Sequence, residues 1–300
     1  MVLFDIDGVL RDVSGSYRRA IQATVRHYSG WTPDPSTIDA LKGEGLWNND
    51  WEASLELLRR HRQAAAASDR AEVEPAAAAD QDRVDPLPPL QALPELEALP
   101  ELEALATVFG GFYFGGDPWG PPSQWRGFIR DEEPLVEPAF FEALTAAGLA
   151  WGFVSGAEGP SARFLLEERL GLVAPPLVAM EDAPQKPDPT GLLALAERLA
   201  AGRNRSLGRE GPPVVYVGDT VADIETVHRA RRQRPDQRFL ALAVAPPHLH
   251  GPERTEQRRV YEDRLRAAGA DHLLGQTAQL GQAPGELLSS LLGRAGDHSA

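Results

Sequence analysis

The segment Val2-Leu3-Phe4-Asp5-Ile6-Asp7-Gly8 opens the chain with an apolar run that ends in two carboxylates and a glycine. A short apolar run closed by a turn signal is typical of a strand buried on both faces of a parallel sheet. Asp5 and Asp7 would then lie at the carboxyl edge of that sheet, where open α/β sheets bind their ligands. Asp-x-Asp strings also occur in solvated turns, so this pair needs support from elsewhere in the chain.

Three later segments place further polar residues where predicted strands end. Phe153-Val154-Ser155-Gly156 ends in a hydroxyl and a glycine, and Lys186 lies in a turn stiffened by prolines. The run Val214-Val215-Tyr216-Val217-Gly218 is followed by Asp219 and Asp223, which would share one face of a helix. Taken singly, these are also explained as a strand-end hydroxyl, a loop lysine and acids that complement a helix N-terminus. Their order along the chain favours one common site.

Size and charge narrow the classes of function. A chain of 300 residues can bury a large core and suits one composite unit of two parts. Thirty Lys and Arg residues against 44 Asp and Glu residues give a formal net charge of −14. Nucleic-acid binding needs clustered positive charge, so this balance argues against it. A small anionic substrate would have to be met by local cations or by a metal ion.

The cellular setting is constrained by what the chain lacks. With no cysteine, disulfides, thiolate catalysis and cysteine-ligated metal sites are excluded. No apolar run approaches the roughly 20 residues that span a bilayer, and residues 1–10 lack the basic start of a signal peptide. We therefore expect a cytoplasmic protein without a membrane partner, and the pattern carries no signal for an oligomeric state. Only four residues precede Asp5, so we expect a start a few residues upstream.

From Leu135 onward, segments with helical and strand periodicity alternate. Alternating strands and helices predict an α/β fold with a doubly wound parallel sheet and right-handed crossovers. The predicted elements are helix 138–148, strand 150–155, helix 160–170, strand 177–181, helix 190–201, strand 214–218, helix 221–232, strand 239–244, helix 256–268 and a short strand at 272–274.

Residues 14–134 interrupt this alternation directly after the first strand. Apolar spacing predicts helices at 14–30, 37–41 and 50–62. Between 63 and 106 the composition shifts to Ala, Pro, Glu and Asp, and the unit Ala-Leu-Pro-Glu-Leu-Glu occurs twice. A six-residue period with proline in each copy fits no uninterrupted helix, so we predict a partly disordered low-complexity insertion, with a short helical hairpin as the alternative. The glycine- and aromatic-rich stretch 109–127 is predicted to be a packed loop.

The ordered set of Asp5, Asp7, Ser155, Lys186 and the Asp219/Asp223 pair resembles the four motifs of the haloacid dehalogenase superfamily. Within it, the chain is similar to the capped subfamily that includes phosphoglycolate phosphatase and β-phosphoglucomutase, and to a cyanobacterial and archaeal branch of that subfamily. The resemblance covers about residues 1–60 and 130–275. It implies a catalytic α/β core of residues 1–13 and 135–300, with a small helical cap of residues 14–134 inserted after the first strand.

The resemblance also implies the chemistry of each motif. Asp5 would attack phosphorus and form an aspartyl-phosphate, while Asp7 would protonate the leaving alcohol and later deprotonate water. Ser155 and the main chain near Gly8 and Gly156 would hold phosphate oxygens. The remaining expectations are charge neutralisation by Lys186 and a magnesium ion held by Asp5, the Asp7 carbonyl group, Asp219 and Asp223.

The cap of such enzymes closes over the core and supplies substrate contacts. Arg11, near the junction, and Trp47 and Asn48, within the polar segment 44–50, are among the candidates here. That segment is equally explained as a substrate-reading loop or as a capped turn between helices. Some members of the branch accompany histidine biosynthesis, which suggests histidinol phosphate as one substrate of a phosphatase acting on small phosphorylated metabolites.

Relatives with other chemistry differ at identifiable positions. Dehalogenases lack the second acid, which Asp7 supplies here. Phosphonatases use a lysine in the cap just after the first motif, but residues 11–26 contain none, and Lys42 is the only lysine before Lys186. Sugar phosphomutases usually carry a histidine in the first cap helix, where Tyr17 stands. A phosphomutase and a catalytically silent binding module remain the alternatives to a phosphatase.

Overall fold

The computed structural model describes residues 1–44, 47, 49–73 and 99–297. The chain separates into two compact units, one of Met1–Ser16 with Asp117–Ala300 and the other of Tyr17–Gly116. The units therefore divide after residues 16 and 116, whereas the sequence predicted boundaries after residues 13 and 134. In the described residues no helix is long and apolar enough to cross a membrane.

The first unit is built on a parallel sheet. In the described residues the strands are β1 (Val2–Phe4), β2 (Arg11–Asp12), β3 (Glu133–Pro134), β4 (Trp151–Val154), β5 (Leu177–Val178), β6 (Val214–Gly218), β7 (Phe239–Val244) and β8 (His272–Leu274). Six of these form the sheet in the order β5-β4-β1-β6-β7-β8, and every pair within it is parallel. The predicted doubly wound α/β sheet is confirmed.

The opening strand lies at the centre of this sheet, between β4 and β6. Leu3 is in register with Gly152 on one side and Tyr216 on the other. Because successive side chains alternate between faces, Phe4 enters one buried apolar layer and Leu3 enters the opposite one. A strand of three residues suffices here because it is hydrogen-bonded along both edges and buried on both faces.

The helices follow the sequence pattern in most places. They are α1 (Tyr17–Ser29), α2 (Pro35–Gly43), α3 (Asp50–Val73), α4 (Leu102–Tyr113), α5 (Pro138–Ala146), α6 (Gly159–Arg163), α7 (Thr190–Ala201), α8 (Val221–Gln233), α9 (Thr255–Ala267), α10 (Gln279–Gln282) and α11 (Pro284–Asp297). A π-helical segment, Phe164–Arg169, continues α6. The sequence did not predict the antiparallel β2–β3 ribbon or helices α10 and α11.

The second unit contains α1 to α4 and corrects two predictions. Helix α4 extends through 109–113, so the predicted loop is wrong there. Phe109 and Tyr113 are buried, and Tyr17 stacks on Tyr113 with ring centroids 4.6 Å apart, which stabilises the helix despite its two glycines. Residues 63–73 continue α3, because alanine is the strongest helix former. At its other end, residues 102–106 of the predicted low-complexity insertion belong to α4, so that end is helical as well. Residues 74–98 of the insertion lie outside the described residues.

Candidate active site

Strand β1 delivers Asp5 to the carboxyl edge of the sheet, where its amide N–H donates to the Val217 carbonyl at 2.8 Å. A tight turn follows, in which the Leu10 N–H donates to the Ile6 carbonyl at 2.8 Å. Gly8 occupies this turn with a φ of 75°, a left-handed conformation that glycine adopts without strain. The turn leaves Asp5 buried and the Asp7 side chain partly exposed.

Lys186 joins two of the acids that were singled out in the sequence. Its ammonium nitrogen lies 2.9 Å from Asp5 Oδ2 and 2.6 Å from Asp223 Oδ1. The lysine comes from the loop between β5 and α7, and its peptide bond to Pro187 is cis. Lys186 is one of only two lysines in the chain, and the side chain is 15% exposed.

Asp223 is held from both oxygens. Thr220 is the N-cap of α8; its N–H and hydroxyl lie 2.9 and 2.6 Å from Asp223 Oδ2, while Oδ1 faces Lys186. Asp219 precedes this cap, so the expectation that the two aspartates share a helix face is wrong. The helix begins at Val221, one residue after the cap, and only Asp223 lies on it.

Asp5, Asp219 and Asp223 nevertheless converge. Each offers a carboxylate oxygen, and these oxygens lie within 4.8 Å of one another. Two glycines make the approach possible, because a Cβ on Gly8 would overlap the Asp219 carboxylate and a Cβ on Gly218 would overlap Asp223. All three aspartates are buried, so the cluster is a concentrated negative charge out of water.

The electrostatics of the cluster are uneven. Burial raises the pKa of Asp5 to about 7 despite the opposing effect of Lys186, and burial raises the pKa of Asp219 well above its usual value. Burial alone would also raise the pKa of Asp223, but Lys186 and Thr220 outweigh it and lower that pKa. Burial disfavours the Lys186 ammonium, yet Asp223 and Asp5 raise its pKa well above the usual value. Three buried acids thus share one cation, the ammonium group of Lys186.

The residues of this cluster fit a hard divalent cation. Asp5 Oδ1 is buried and accepts no hydrogen bond within the described part of the chain. Leaving a buried carboxylate oxygen unpaired is costly, so its presence fits a metal ligand or a reactive group. Carboxylate oxygens are the ligands that magnesium and calcium prefer, and a divalent ion would balance the excess negative charge of the three acids.

The predicted phosphate-holding residues are placed differently from one another. Ser155 ends β4 and is buried; its Oγ accepts the Ala157 N–H at 3.1 Å and retains its own proton to donate. Gly156 follows it and is exposed. The N–H of Gly8 donates to the Arg11 carbonyl at 3.0 Å within the turn. A phosphate-binding role for the main chain near Gly8 stays a prediction. The contribution of Gly8 is the space it leaves for Asp219.

The predicted substrate contacts are only partly supported. Arg11 is fully buried and its guanidinium is bonded to protein groups, among them Asp7 Oδ1 at 2.5 Å, so the predicted substrate contact is corrected. Trp47 is half-buried and donates its indole N–H to Glu44 Oε2 at 3.0 Å within the second unit. Asn48 lies outside the described residues. A substrate role for Trp47 and Asn48 stays a prediction.

Sequence reasoning missed two tyrosines that support the acids. The Tyr216 hydroxyl lies 2.9 Å from the Val154 carbonyl and 3.2 Å from Asp223 Oδ1, and it accepts from Lys186 at 3.3 Å. Tyr261, on α9, donates to the Asp219 carbonyl at 3.0 Å. For Tyr216, the sequence did carry a signal, since a phenol is unusual in the otherwise aliphatic strand Val214–Gly218. Tyr261 is far away in the sequence and carried no such signal.

Comparison with known proteins agrees with this geometry. The family model described as haloacid dehalogenase-like hydrolase matches residues 1–231. Phosphatase Tt82 from Thermococcus thioreducens superposes with a TM-score of 0.55 at 22% identity, over 88% of this chain and 98% of its own. A phosphonoacetaldehyde hydrolase-like protein from Oleispira antarctica gives a TM-score of 0.59 at 18% identity, over 97% and 91% of the two chains. At these identities the likeness is one of fold.

A segment of 57 residues is 44% identical to a protein named imidazoleglycerol-phosphate dehydratase from Phytophthora nicotianae. It covers 19% of this chain and 12% of that protein. The chain therefore matches only a small part of that relative's length.

Proposed function

This chain belongs to the haloacid dehalogenase-like hydrolase family, and we propose that it is a magnesium-dependent phosphatase acting on a small phosphomonoester. The observation that carries the proposal is the buried cluster of Asp5, Asp219 and Asp223, in which Lys186 bonds Asp5 and Asp223 and Asp5 Oδ1 is unpaired in the described residues. The helical insertion after β2 further supports placing the chain in the capped subfamily of phosphatases.

A phosphate monoester repels nucleophiles through its own negative charge, so catalysis depends on positioning and charge neutralisation. Asp5 supplies the carboxylate that attacks phosphorus and forms an aspartyl-phosphate. Lys186, bonded to Asp5 Oδ2, keeps positive charge beside the reacting group at neutral pH. This ion pair favours the ionised Asp5 carboxylate against the opposing effect of burial on its pKa, and it fixes the position of Oδ2.

Two residues next to the nucleophile complete the chemistry. Asp7 lies two residues after Asp5, and its carboxylate is partly exposed. This carboxyl group protonates the leaving alcohol oxygen and then takes a proton from water. Ser155 lies at the end of the neighbouring strand β4 and donates its hydroxyl to a phosphate oxygen. The strand ends thus bring the nucleophile, the general acid and the hydroxyl that donates a hydrogen bond to phosphate to one edge of the sheet.

A magnesium ion fits the donor set. Asp5 and Asp219 would hold it with the Asp7 carbonyl group. Asp223, already bonded to Lys186 and Thr220, would support this coordination sphere. When bound, the ion would neutralise charge that develops on the phosphate oxygens.

For the substrate we propose a small phosphomonoester, with histidinol phosphate as the first compound to test. The support is the match of one segment to a protein whose name concerns an imidazole-bearing phosphate ester. The acidic character of the chain, with a formal net charge of −14, favours a small metabolite over a polyanion such as nucleic acid.

The test is phosphate release from a panel of phosphorylated metabolites, with and without magnesium, for the wild type and Asp5→Asn. Magnesium-dependent release that Asp5→Asn abolishes supports the phosphatase. Full hydrolysis by Asp5→Asn would refute the mechanism. Transfer of labelled phosphate back to substrate instead of to water would indicate a phosphomutase, and no release or transfer would favour the silent binding module.

A further inference from the structure

Arg11 is a fully buried charged side chain beside the candidate site, with 0% of its surface exposed. Its Nε lies 2.5 Å from Asp7 Oδ1, and Nη1 lies 2.8 Å from Glu132 Oε2. Nη1 and Nη2 also donate to the main-chain carbonyl and the hydroxyl of Ser161, at 3.1 and 2.8 Å. One guanidinium thus connects Glu132 and Ser161, from two separate parts of the core, to the acid of the first motif.

The groups that hold Arg11 are themselves held in place by further hydrogen bonds. Glu132 is buried and accepts the Ser16 hydroxyl at 2.6 Å. Arg11 lies on β2, and its carbonyl accepts the Gly8 N–H that closes the turn after Asp7. A planar guanidinium bonded on several sides has little freedom to move, because each displacement would break charge-assisted hydrogen bonds in a buried setting.

The Asp7 carboxylate is held from one side only. Oδ1 is bonded to Arg11, whereas Oδ2 accepts no hydrogen bond from the described residues, and 27% of the side chain is exposed. A buried arginine is costly unless its partners justify it. A carboxylate with one oxygen fixed and the other directed outward is oriented for proton transfer.

We propose that Arg11 is the positioning residue for Asp7, fixing Oδ1 so that Oδ2 faces the leaving oxygen and, later, the attacking water. This inference rests on the proposed phosphatase function. As the bond from Asp5 to phosphorus forms and the ester P–O bond breaks, Oδ2 gives its proton to the departing alkoxide. When water attacks the aspartyl-phosphate, Oδ2 takes a proton from that water, and phosphate and free Asp5 are released.

A purely structural role for Arg11 predicts a different result. Structural damage would slow every substrate by a similar factor. A mispositioned acid slows formation of the aspartyl-phosphate only when the leaving group needs a proton. Alkoxides need one, whereas p-nitrophenolate departs without it, so the leaving group separates the two roles.

The experiment compares Arg11→Lys with the wild type in a single turnover, using glycerol phosphate and p-nitrophenyl phosphate. Lysine keeps the positive charge for Glu132 but cannot reach all four partners in the plane of a guanidinium. We expect alcohol release from glycerol phosphate to fall by about 10- to 100-fold, while the first release of nitrophenol stays within about threefold. Only this first release separates the two roles, because hydrolysis of the aspartyl-phosphate, in which Asp7 also activates the water, is common to both esters.

Two further variants keep the result interpretable. Ser161→Ala removes the hydroxyl that accepts from Nη2 and leaves every charge in place, so it should show the same pattern more weakly even if Arg11→Lys does not fold. Arg231→Lys is the matched control, since Arg231 bonds Asp271 and the Phe239 carbonyl at the opposite end of the strands. It should change neither ester's rate by more than about threefold.

The outcomes separate this inference from the function on which it rests. Equal loss on both esters in Arg11→Lys and Ser161→Ala, with an active wild type, overturns the positioning role and leaves the phosphatase standing. A wild type inactive on every ester overturns both. A crystal structure of either variant tests the geometry without activity, and an Asp7 carboxylate that keeps its orientation would contradict the inference.

Discussion

The Lys186 ammonium lies 2.6 Å from Oδ1 of Asp223, and this pair joins a loop after β5 to the first turn of α8. The same nitrogen reaches Asp5 Oδ2 at 2.9 Å, so one lysine links the end of the central strand to two neighbouring elements. Because the acids outnumber the cation, the site combines a strong local ion pair with unbalanced negative charge.

Replacing Lys186 with methionine should lower kcat by at least about 100-fold, because Asp5 and the bound phosphate lose their neutralising cation. The measurement is steady-state hydrolysis of the best ester in the metabolite panel. Arg231→Met serves as the control for loss of a half-buried cation and should change kcat less than about threefold. A Lys186→Met enzyme with near wild-type kcat would mean that the lysine is only structural.

The acid cluster should make the metal-free protein pH-sensitive. The pKa of Asp5 is about 7 in the folded protein and 3.8 ordinarily, so the folded state binds the extra proton between these values. This contribution to the free energy of unfolding is therefore lost as pH rises from about 4 to 7, by up to about 4 kcal/mol. Asp5→Asn lacks the titration, so its Tm advantage over the wild type in EDTA should grow across that window.

Magnesium should offset the loss of stability that the metal-free protein shows as pH rises, because binding requires ionised carboxylates and releases their protons. We expect the magnesium-induced rise in wild-type Tm to increase from pH 5 to about pH 7 and to be much smaller in Asp5→Asn. Melting curves with EDTA and with saturating magnesium measure both quantities. In EDTA, a Tm difference between the wild type and Asp5→Asn that stays constant with pH would contradict the attribution of the pH dependence to Asp5.

Gly8→Ala should weaken metal binding as well as folding. The Cβ would overlap the Asp219 carboxylate at a φ of 75°, so Asp219 must move and the backbone is strained. We expect the apparent magnesium Kd to rise by about 10-fold or more. Gly148→Ala is the matched control, with a φ of 74° and open space around the Cβ, and it should cost about 1–2 kcal/mol without changing metal affinity. Equal metal affinity in both variants would remove the steric role of Gly8.

Tyr216→Phe should reduce both stability and turnover modestly. The hydroxyl lies 2.9 Å from the Val154 carbonyl and 3.2 Å from Asp223 Oδ1, and its loss removes a donor from the buried Val154 carbonyl, while Asp223 Oδ1 keeps Lys186. We expect a loss of about 1–3 kcal/mol in the free energy of unfolding. Because Lys186 also donates to this hydroxyl at 3.3 Å, kcat should fall severalfold with KM nearly unchanged. Denaturant unfolding and steady-state kinetics test the two parts separately.

Local pattern was sufficient for most of the core. Strands 214–218, 239–244 and 272–274 have the bounds that the sequence predicts, because runs of buried aliphatic residues closed by glycine or polar residues are read over short distances. Helix α4 was missed, since stacking of Tyr17 on Tyr113 joins positions nearly a hundred residues apart and overrides the weak helix propensity of Gly110 and Gly111.

The sequence by itself determined which acids end the strands and hence the edge of the sheet where chemistry is expected, because strand periodicity and turn residues are local properties of the chain. Only the tertiary structure decided their partners. It placed Asp219 before the helix, directed Lys186 to both Asp5 and Asp223, and buried Arg11 against Asp7 and Glu132. These contacts depend on long-range packing and on which charges share a buried site, and local residue spacing predicts neither.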